Sequence, residues 1–110
     1  MTKKSSKKKQ PVLDSKQKKQ LRGLAHHLSP VAMIGKEGIT EKVIAAVNEV
    51  LDAHELIKIK GQENSPLDRR EAAEEMAERT AAALIQVIGK NFILYRQNPD
   101  LDQDQKIKLF

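Results

Sequence analysis

The four residues Gly35-Lys36-Glu37-Gly38 are the segment of this sequence whose residue types are best suited to binding chemistry. They follow the apolar run Val31–Ile34, which predicts a short buried strand, and they precede a helix that Thr40 is expected to cap. Glycine tolerates backbone angles that other residues avoid and lets another backbone approach closely. A helix N-terminus adds unpaired N–H groups and partial positive charge, which favour phosphate. With Lys36 at its tip, the segment therefore predicts a phosphate-binding turn.

The G-x-x-G pattern does not decide the function alone, because any tight strand-to-helix turn can use it. A KH domain clamps an RNA backbone with a similar loop. A nucleotide-binding P-loop needs G-x-x-x-x-G-K-[ST], and a dinucleotide fingerprint needs a third glycine, so the segment fits neither pattern. An RNA-backbone contact and a purely structural turn are the two interpretations that remain.

The titratable residues form no pattern that predicts catalysis. His26, His27 and His54 fall at the predicted ends of two helices, where imidazole complements the helix dipole. The chain has no cysteine, and no Asp/His spacing indicates zinc. No Ser–His–Asp set or carboxylate pair can be picked out. We therefore expect a protein that is not an enzyme and has neither a metal nor a cofactor.

Alternating helices and strands position the turn. Asp14 or Ser15 can cap a first helix, and Pro30 prevents it from continuing, because the residue before proline avoids helical angles. The apolar spacing after Thr40 predicts a second helix, and the alternation over residues 55–60 predicts a second strand.

The second half of the chain predicts a third helix and a β-hairpin. Ser65 is expected to cap this helix and Pro66 to take its first position. The runs Leu84–Ile88 and Phe92–Arg96 are separated by Gly89-Lys90-Asn91, a connection typical of hairpins. The resulting order, α-β-α-β-α-β-β, predicts a single α/β domain with helices packed on a mixed sheet.

Positive charge is concentrated at the start of the chain. Residues 1–20 contain eight lysines and one aspartate, a net charge of +7, whereas residues 21–110 contain twelve basic and fourteen acidic residues, a net charge of −2. Residues 1–12 are expected to be a disordered arm that either contacts phosphates or only aids solubility. We expect residues 13–97 to form the folded domain and residues 98–110 a loose tail. Any binding face on the domain must then be a local cluster.

Two further charged surfaces leave alternatives open. Lys58 and Lys60 share one face of the second strand, where they either meet phosphates or extend their amines past covering helices. The third helix carries four glutamates, at positions 71, 74, 75 and 78. They form either an ordinary solvated face or the docking face of a protein-binding adaptor, which is the alternative function.

No apolar run approaches the roughly 18 residues of a membrane helix. The basic N-terminus is not followed by the apolar segment of a secretory signal. We therefore expect a cytoplasmic protein.

Several fragments occur in an order that is specific, although no fragment is specific alone. They are Leu21-Arg22-Gly23-Leu24-Ala25-His26, Leu28-Ser29-Pro30, Ile34-Gly35-Lys36-Glu37-Gly38-Ile39-Thr40, His54-Glu55-Leu56-Ile57-Lys58-Ile59-Lys60, Gln86-Val87-Ile88-Gly89-Lys90 and Leu94-Tyr95-Arg96. Together they closely resemble the YhbY family, the stand-alone bacterial form of the CRM (chloroplast RNA splicing and ribosome maturation) domain. The resemblance covers about residues 13–97.

This resemblance implies a fold similar to the C-terminal domain of the third bacterial translation initiation factor. It also implies RNA binding through the G-x-x-G loop and nearby basic residues, and an association with precursors of the large ribosomal subunit. We expect a monomeric assembly factor. The resemblance carries the RNA-binding role onto Gly35, Lys36 and Gly38, with Arg22 and Lys42 expected as neighbours on the same side. Two further residues match family positions, Lys90 and Arg96. Arg96 can alternatively pair with a neighbouring carboxylate.

Overall fold

The computed structural model describes residues 10–61 and 68–109, which contain three helices and four strands. In chain order these are α1 Ser15–Ala25, β1 Pro30–Ile34, α2 Glu41–His54, β2 Leu56–Gly61, α3 Arg69–Arg79, β3 Ala83–Ile88 and β4 Asn91–Tyr95. The predicted α-β-α-β-α-β-β order and mixed-sheet α/β class are confirmed.

The sheet has the strand order β1-β2-β4-β3. β1 and β2 are parallel, while β4 pairs antiparallel with both β2 and β3. The ends of β1 and β2 therefore lie beside the β3–β4 turn, with Ile34 opposite Gly61. We call this edge the loop end of the sheet. At the opposite end, Tyr95 pairs with both Leu56 and Ala83.

Helices α2 and α3 cover one face of the sheet. Strand side chains alternate between faces, so Ile57 and Ile59 of β2 point to the same side as Phe92 and Leu94 of β4. Against them pack the apolar stripes of α2 and α3, Ile44, Val47, Leu51, Ala72, Ala73, Met76 and Ala77. The small residues of α3 are thus core residues.

Helix α1 and the C-terminal segment cover the other face. Leu21 and Ala25 of α1 are buried with Leu56, Ile93 and Tyr95. Further along the chain, two more apolar side chains pack against this second core, Ile107 and Leu109. Different parts of the chain therefore cover the two faces of the sheet, the second face only in part.

Two predicted helix starts are confirmed and the third is wrong. Asp14 caps α1 in a capping box with Gln17, and the Thr40 hydroxyl accepts a hydrogen bond from Val43 N at 3.2 Å. Helix α3 begins after Asp68, whose carboxylate accepts from Arg70 N at 2.8 Å. Asp68 has extended backbone angles and is the N-cap, so α3 begins three residues later than predicted from the expected cap and first position. That pair, Ser65 and Pro66, lies outside the described residues.

The hairpin is tighter than its sequence predicts. Asn91 pairs with both Lys60 and Ile88, so it belongs to β4, and only Gly89 and Lys90 form the turn. Gly89 has a φ of 56°, a conformation that glycine adopts at little cost. At the other end of β4 the strand stops at Tyr95, one residue earlier than predicted.

The C-terminal segment makes specific contacts, in contrast to the loose tail expected over residues 98–110. Glu55 is 1% exposed, and its carboxylate accepts hydrogen bonds from Asn98 N at 2.7 Å and Ile107 N at 2.8 Å. Gln20 of α1 donates to the carbonyl of Lys108 at 2.7 Å. The sequence pattern misses this docking because the segment has no regular helix or strand within residues 98–109.

The lysine-rich arm falls mostly outside the described residues. Of residues 10–12, Gln10 donates its side-chain amide to the carbonyl of Ala82 at 2.8 Å. The chain therefore reaches α1 from the side of β3.

Candidate nucleic-acid interface

The segment from Gly35 to Gly38 forms a tight turn at the loop end of the sheet. Gly38 N donates to Gly35 O at 3.0 Å, which places Lys36 and Glu37 at the exposed corners. The turn follows directly from Ile34, which is fully buried in the core and fixes the end of β1. A rigid strand thus presents one exposed lysine and one exposed glutamate.

The two glycines of this turn have different roles. Gly38 has a φ of 80°, in the region that residues with a Cβ avoid, so the turn itself requires a glycine there. Gly35 has no such angle, and a Cβ built on it would meet no atom within 4 Å. The space at Gly35 is therefore open, and the fold alone does not explain why this residue is glycine.

The N-terminus of α2 opens onto the same edge. Thr40 caps the helix and satisfies Val43 N, whereas the amides of Glu41 and Lys42 have no intrahelical acceptor. Lys42 is exposed in this first turn. Glu41 points to Arg79 of α3, 3.0 Å away, so part of the local negative charge is paired.

Strand direction brings further cations to the loop end. Lys60 is exposed and is the next-to-last residue of β2. Lys90 lies in the adjoining β3–β4 turn. Gly61 N donates to Lys90 O at 2.7 Å, and a Cβ on Gly61 would lie 3.2 Å from that oxygen. Gly61 therefore permits the close contact that holds the Lys90 turn against β2.

Arg69 is a basic residue at this end that the sequence interpretation misses. It is the first residue of α3, is exposed, and donates a guanidinium hydrogen bond to Gly89 O. The signal that could reveal it is the N-cap at Asp68, because the helix start then falls beside the hairpin turn. The loop end thus combines a glycine turn, a helix N-terminus and five cationic side chains, Lys36, Lys42, Lys60, Arg69 and Lys90.

Arg22 and Lys42 are not brought to one side of the domain. Arg22 is exposed on α1, which packs on one face of the sheet, whereas Lys42 is on α2 on the other face. On α1, Arg22 lies about 200° around the helix from Gln20, the residue that contacts the C-terminal segment. Arg22 therefore faces away from that segment.

Arg96 lies at the opposite end of the sheet and is committed to internal contacts. Its guanidinium donates to Asn48 Oδ1 at 2.7 Å, to Thr80 O at 2.6 Å and to Asp52 Oδ1 at 2.7 Å. The Arg96 side chain is only 13% exposed. This is the alternative in which a terminal arginine pairs with a neighbouring carboxylate, and the arrangement favours a structural role.

The acidic side of α3 is partly charge-balanced within the domain. Glu74 pairs with Arg70 at 3.5 Å and Glu75 with Arg79 at 3.2 Å, both in the i,i+4 arrangement. These pairs are solvent-exposed and contribute little to stability. They do lower the net charge of the surface that a protein-binding adaptor would use.

Tyr95 and Glu55 form the buried polar pair at the opposite end. The pKa of Tyr95 is raised above its usual 10.0, mainly by burial and to a lesser extent by the negative charge of Glu55. Both residues are almost fully enclosed, since Tyr95 is 2% and Glu55 1% exposed.

Residues 10–61 and 68–109 contain no group of three or more histidine, cysteine, aspartate or glutamate side chains that could hold a metal ion. None of their helices is long and apolar enough to cross a membrane.

Comparison with known proteins assigns the chain to a family. The profile of the CRS1/YhbY (CRM) domain matches residues 13–96. The Bacillus subtilis protein named "Probable RNA-binding protein YqeI" is 36% identical over 92 residues, which cover 84% of this chain and 96% of that protein. A Haemophilus influenzae protein named "RNA-binding protein" is 40% identical over 98 residues, covering 89% of this chain and 95% of the relative.

A solved structure extends the similarity to the fold. The solution structure of SAV1595 from Staphylococcus aureus, described as a candidate RNA-binding protein, superposes with a TM-score of 0.75 at 38% sequence identity. The match covers 90% of this chain and all of SAV1595. The resemblance expected from the ordered fragments is thus confirmed: this chain belongs to the CRS1/YhbY (CRM) domain family.

Proposed function

We propose that this protein binds RNA through the loop end of its sheet and catalyses no reaction. The observation that carries the proposal is the convergence at one edge of the Gly35–Gly38 turn, the N-terminus of α2 and five cationic side chains. Relatives of nearly the same length are named as RNA-binding proteins, which supports RNA as the polyanion.

Contacts with the phosphate backbone are expected to dominate. The turn offers a lysine and backbone N–H groups, none of which reads a base edge specifically. Gly35 leaves open space at the turn, where a phosphodiester backbone can approach. The residues proposed from the sequence are Gly35, Lys36, Gly38, Lys42 and Lys90. We add Lys60 and Arg69 because they also lie at the loop end.

Arg22 stays a separate prediction, since RNA would reach it only by passing onto the face that carries α1. Arg96 is left out of the proposed contact set, because its guanidinium is engaged by Asn48, Thr80 and Asp52.

The test is a charge reversal with a matched control. Lys36→Glu removes a cation at the exposed tip of the turn, where no core contact is lost. Lys108→Glu makes the same charge change at an exposed position of the C-terminal segment. In a filter-binding assay we expect Lys36→Glu to weaken RNA binding about tenfold and Lys108→Glu less than twofold. Equal binding by the Lys36→Glu variant and the unaltered protein would sink the proposed site.

The biological RNA is proposed to be a precursor of the large ribosomal subunit RNA, bound by a monomeric assembly factor in the cytoplasm. This finer proposal rests on the family resemblance. Sequencing the RNA that co-purifies with the tagged protein tests it, because enrichment of large-subunit precursors is expected. Recovery of protein partners that survive nuclease treatment, without such RNA, would favour the adaptor alternative instead.

A further inference from the structure

Within residues 10–61 and 68–109, no helix covers one row of side chains on the sheet beside the loop end. Pairing across the four strands places Met33 beside Lys60, Lys60 beside Asn91, and Asn91 beside Ile88. We call these four residues the uncovered row. Paired residues of neighbouring strands point to the same face, so the row forms a continuous strip about 14 Å wide.

The row points to the face that carries α1. Its strand neighbours Ile34, Ile59, Phe92 and Val87 all pack against α2 and α3, so the alternate residues point the other way. Helix α1 covers only the part of that face nearer the opposite end, where Leu56, Ile93 and Tyr95 are buried. Met33 and Ile88 therefore remain 49% and 42% exposed, respectively.

The composition of the row is apolar and cationic. Met33 and Ile88 lie at its two edges, with exposed Lys60 and half-buried Asn91 between them. On the same face, Val31 is 47% exposed and Lys58 is half-buried in the next row. Val31 and Met33 lie two residues apart on β1, beside Lys58 and Lys60 of β2, and this mixture suits a ligand with both apolar and anionic parts.

The row is continuous with the proposed phosphate-binding turn. Met33 precedes Gly35 by two residues, and Ile88 and Asn91 flank the Gly89-Lys90 turn. A polymer held by its backbone at the turn would therefore lie next to apolar side chains and Lys60. Towards the opposite end the same face leads to α1, which carries Arg22.

We propose that the uncovered row contacts the bases of single-stranded RNA held at the loop end, so that the protein prefers single strands to duplexes. This inference rests on the proposed RNA-binding function. In a duplex the base faces are stacked inside the helix and the A-form major groove is deep and narrow, so a flat strip of sheet cannot reach them. An unpaired strand can turn its bases onto Met33 and Ile88 while Lys60 meets a phosphate.

The residue types set how selective this contact is. Stacking on aromatic rings is absent, because none of the four side chains is aromatic. Flexible methionine and branched isoleucine bury apolar area against any base, and only Asn91 offers both a hydrogen-bond donor and an acceptor. The row should therefore distinguish strandedness much more strongly than base sequence.

The test compares one RNA sequence as a single strand and as a duplex. The double variant Met33→Thr/Ile88→Thr removes apolar area and places a β-branched residue, which suits a strand, at both positions. The matched control is Leu24→Gln, which alters an apolar residue on α1 that is 45% exposed. Thermal unfolding of each variant verifies that the fold is retained.

The unaltered protein is expected to bind the single strand about tenfold more tightly than the duplex. The double variant should lose most of that preference, with an unchanged dependence of affinity on salt, because its phosphate contacts remain. Leu24→Gln should keep the preference. Equal binding of single strand and duplex by the unaltered protein, or an unchanged preference in the double variant, would overturn the inference. If the unaltered protein binds neither RNA, the proposed function fails as well.

Discussion

At the scale of single residues, the two glycines of the Gly35–Gly38 turn differ in whether the fold requires a glycine. Only Gly38, with its φ of 80°, is required by the backbone conformation. Gly35 has ordinary angles and open space around its Cα. Its conformational freedom is therefore unused, and we propose that close approach of another molecule is the reason for a glycine there.

Alanine at each glycine tests this separation. We expect Gly38→Ala to lower the free energy of unfolding by about 1–2 kcal/mol, because a Cβ is strained at positive φ. Gly35→Ala should change stability by less than about 0.5 kcal/mol and still weaken RNA binding several-fold. Urea unfolding and filter binding measure the two effects. Normal RNA binding by a folded Gly35→Ala protein would contradict the close-approach argument.

Sequence similarity and the structure favour different roles for Arg96. The residue matches a family position, yet its side chain is only 13% exposed and its guanidinium donates to groups on α2 and before β3. The sequence alone left two roles open for it, because no local pattern shows that Asn48, Thr80 and Asp52 converge from distant parts of the chain.

Replacing Arg96 by alanine should mainly destabilise the fold. We expect a loss of about 2–4 kcal/mol, because partly buried acceptors on Asn48 and Thr80 lose their donor. Arg70→Ala is the comparison, since its exposed pair with Glu74 should contribute less than about 0.5 kcal/mol. Chemical unfolding of both variants checks this. A neutral Arg96→Ala change with a large loss of RNA affinity would restore Arg96 as a contact residue.

At the scale of elements, the caps and apolar periods predict most of the structure. Asp14, Thr40 and Pro30 are local signals, and the elements they delimit are found as expected. The predicted start of α3 is wrong because Ser65 and Asp68 both suit an N-cap. In the structure the N-cap is Asp68. Short-range chemistry cannot choose between them, since the choice depends on how α3 packs.

The C-terminal segment shows the same limit. Its sequence has no period, yet Glu55 accepts hydrogen bonds from Asn98 N and Ile107 N, and Ile107 packs on the second core. The positive φ of Glu55, 64°, accompanies the turn from α2 into β2. The segment therefore completes the face of the sheet that α1 covers only in part.

Removing this segment should weaken the domain. A chain ending at residue 97 would leave the carboxylate of Glu55 without two of its donors and would uncover apolar side chains around Leu21. We expect a loss of at least about 2 kcal/mol, because hydrogen bonds to charged groups contribute about 1.5–3 kcal/mol each. Thermal and urea unfolding measure it, with removal of residues 1–9 as the comparison. Unchanged stability in the chain ending at 97 would show that the segment is loose.

At the scale of the whole molecule, overall charge is a poor guide to the binding surface. Residues 1–20 carry +7 and residues 21–110 carry −2, which together give the net charge of +5. The fold brings cationic side chains from separate elements to one edge of the sheet, the loop end. The glutamates of α3 lie on that helix, outside the sheet. This convergence follows from parallel pairing of β1 and β2, which a one-dimensional pattern does not reveal.

The arm and the loop end should contribute separately to the salt dependence of RNA binding. A few phosphate contacts at the loop end predict a slope of about −2 to −3 for log affinity against log salt on single strands. If the five lysines of residues 1–9 also meet phosphates, deleting them should reduce the slope by up to about 3. Titrations at several salt concentrations distinguish the cases. An unchanged slope would assign the arm to solubility.

An NMR titration with a single-stranded RNA is the most direct test of the proposal that RNA lies on the loop end of the sheet. The amides of Gly35, Gly38, Gly61 and Gly89 report on that edge, and those of Glu55 and Arg96 report on the opposite end. We predict that RNA shifts the first group and leaves the second nearly unchanged. Shifts concentrated around Glu55 and Arg96, or along the glutamates of α3, would contradict the account.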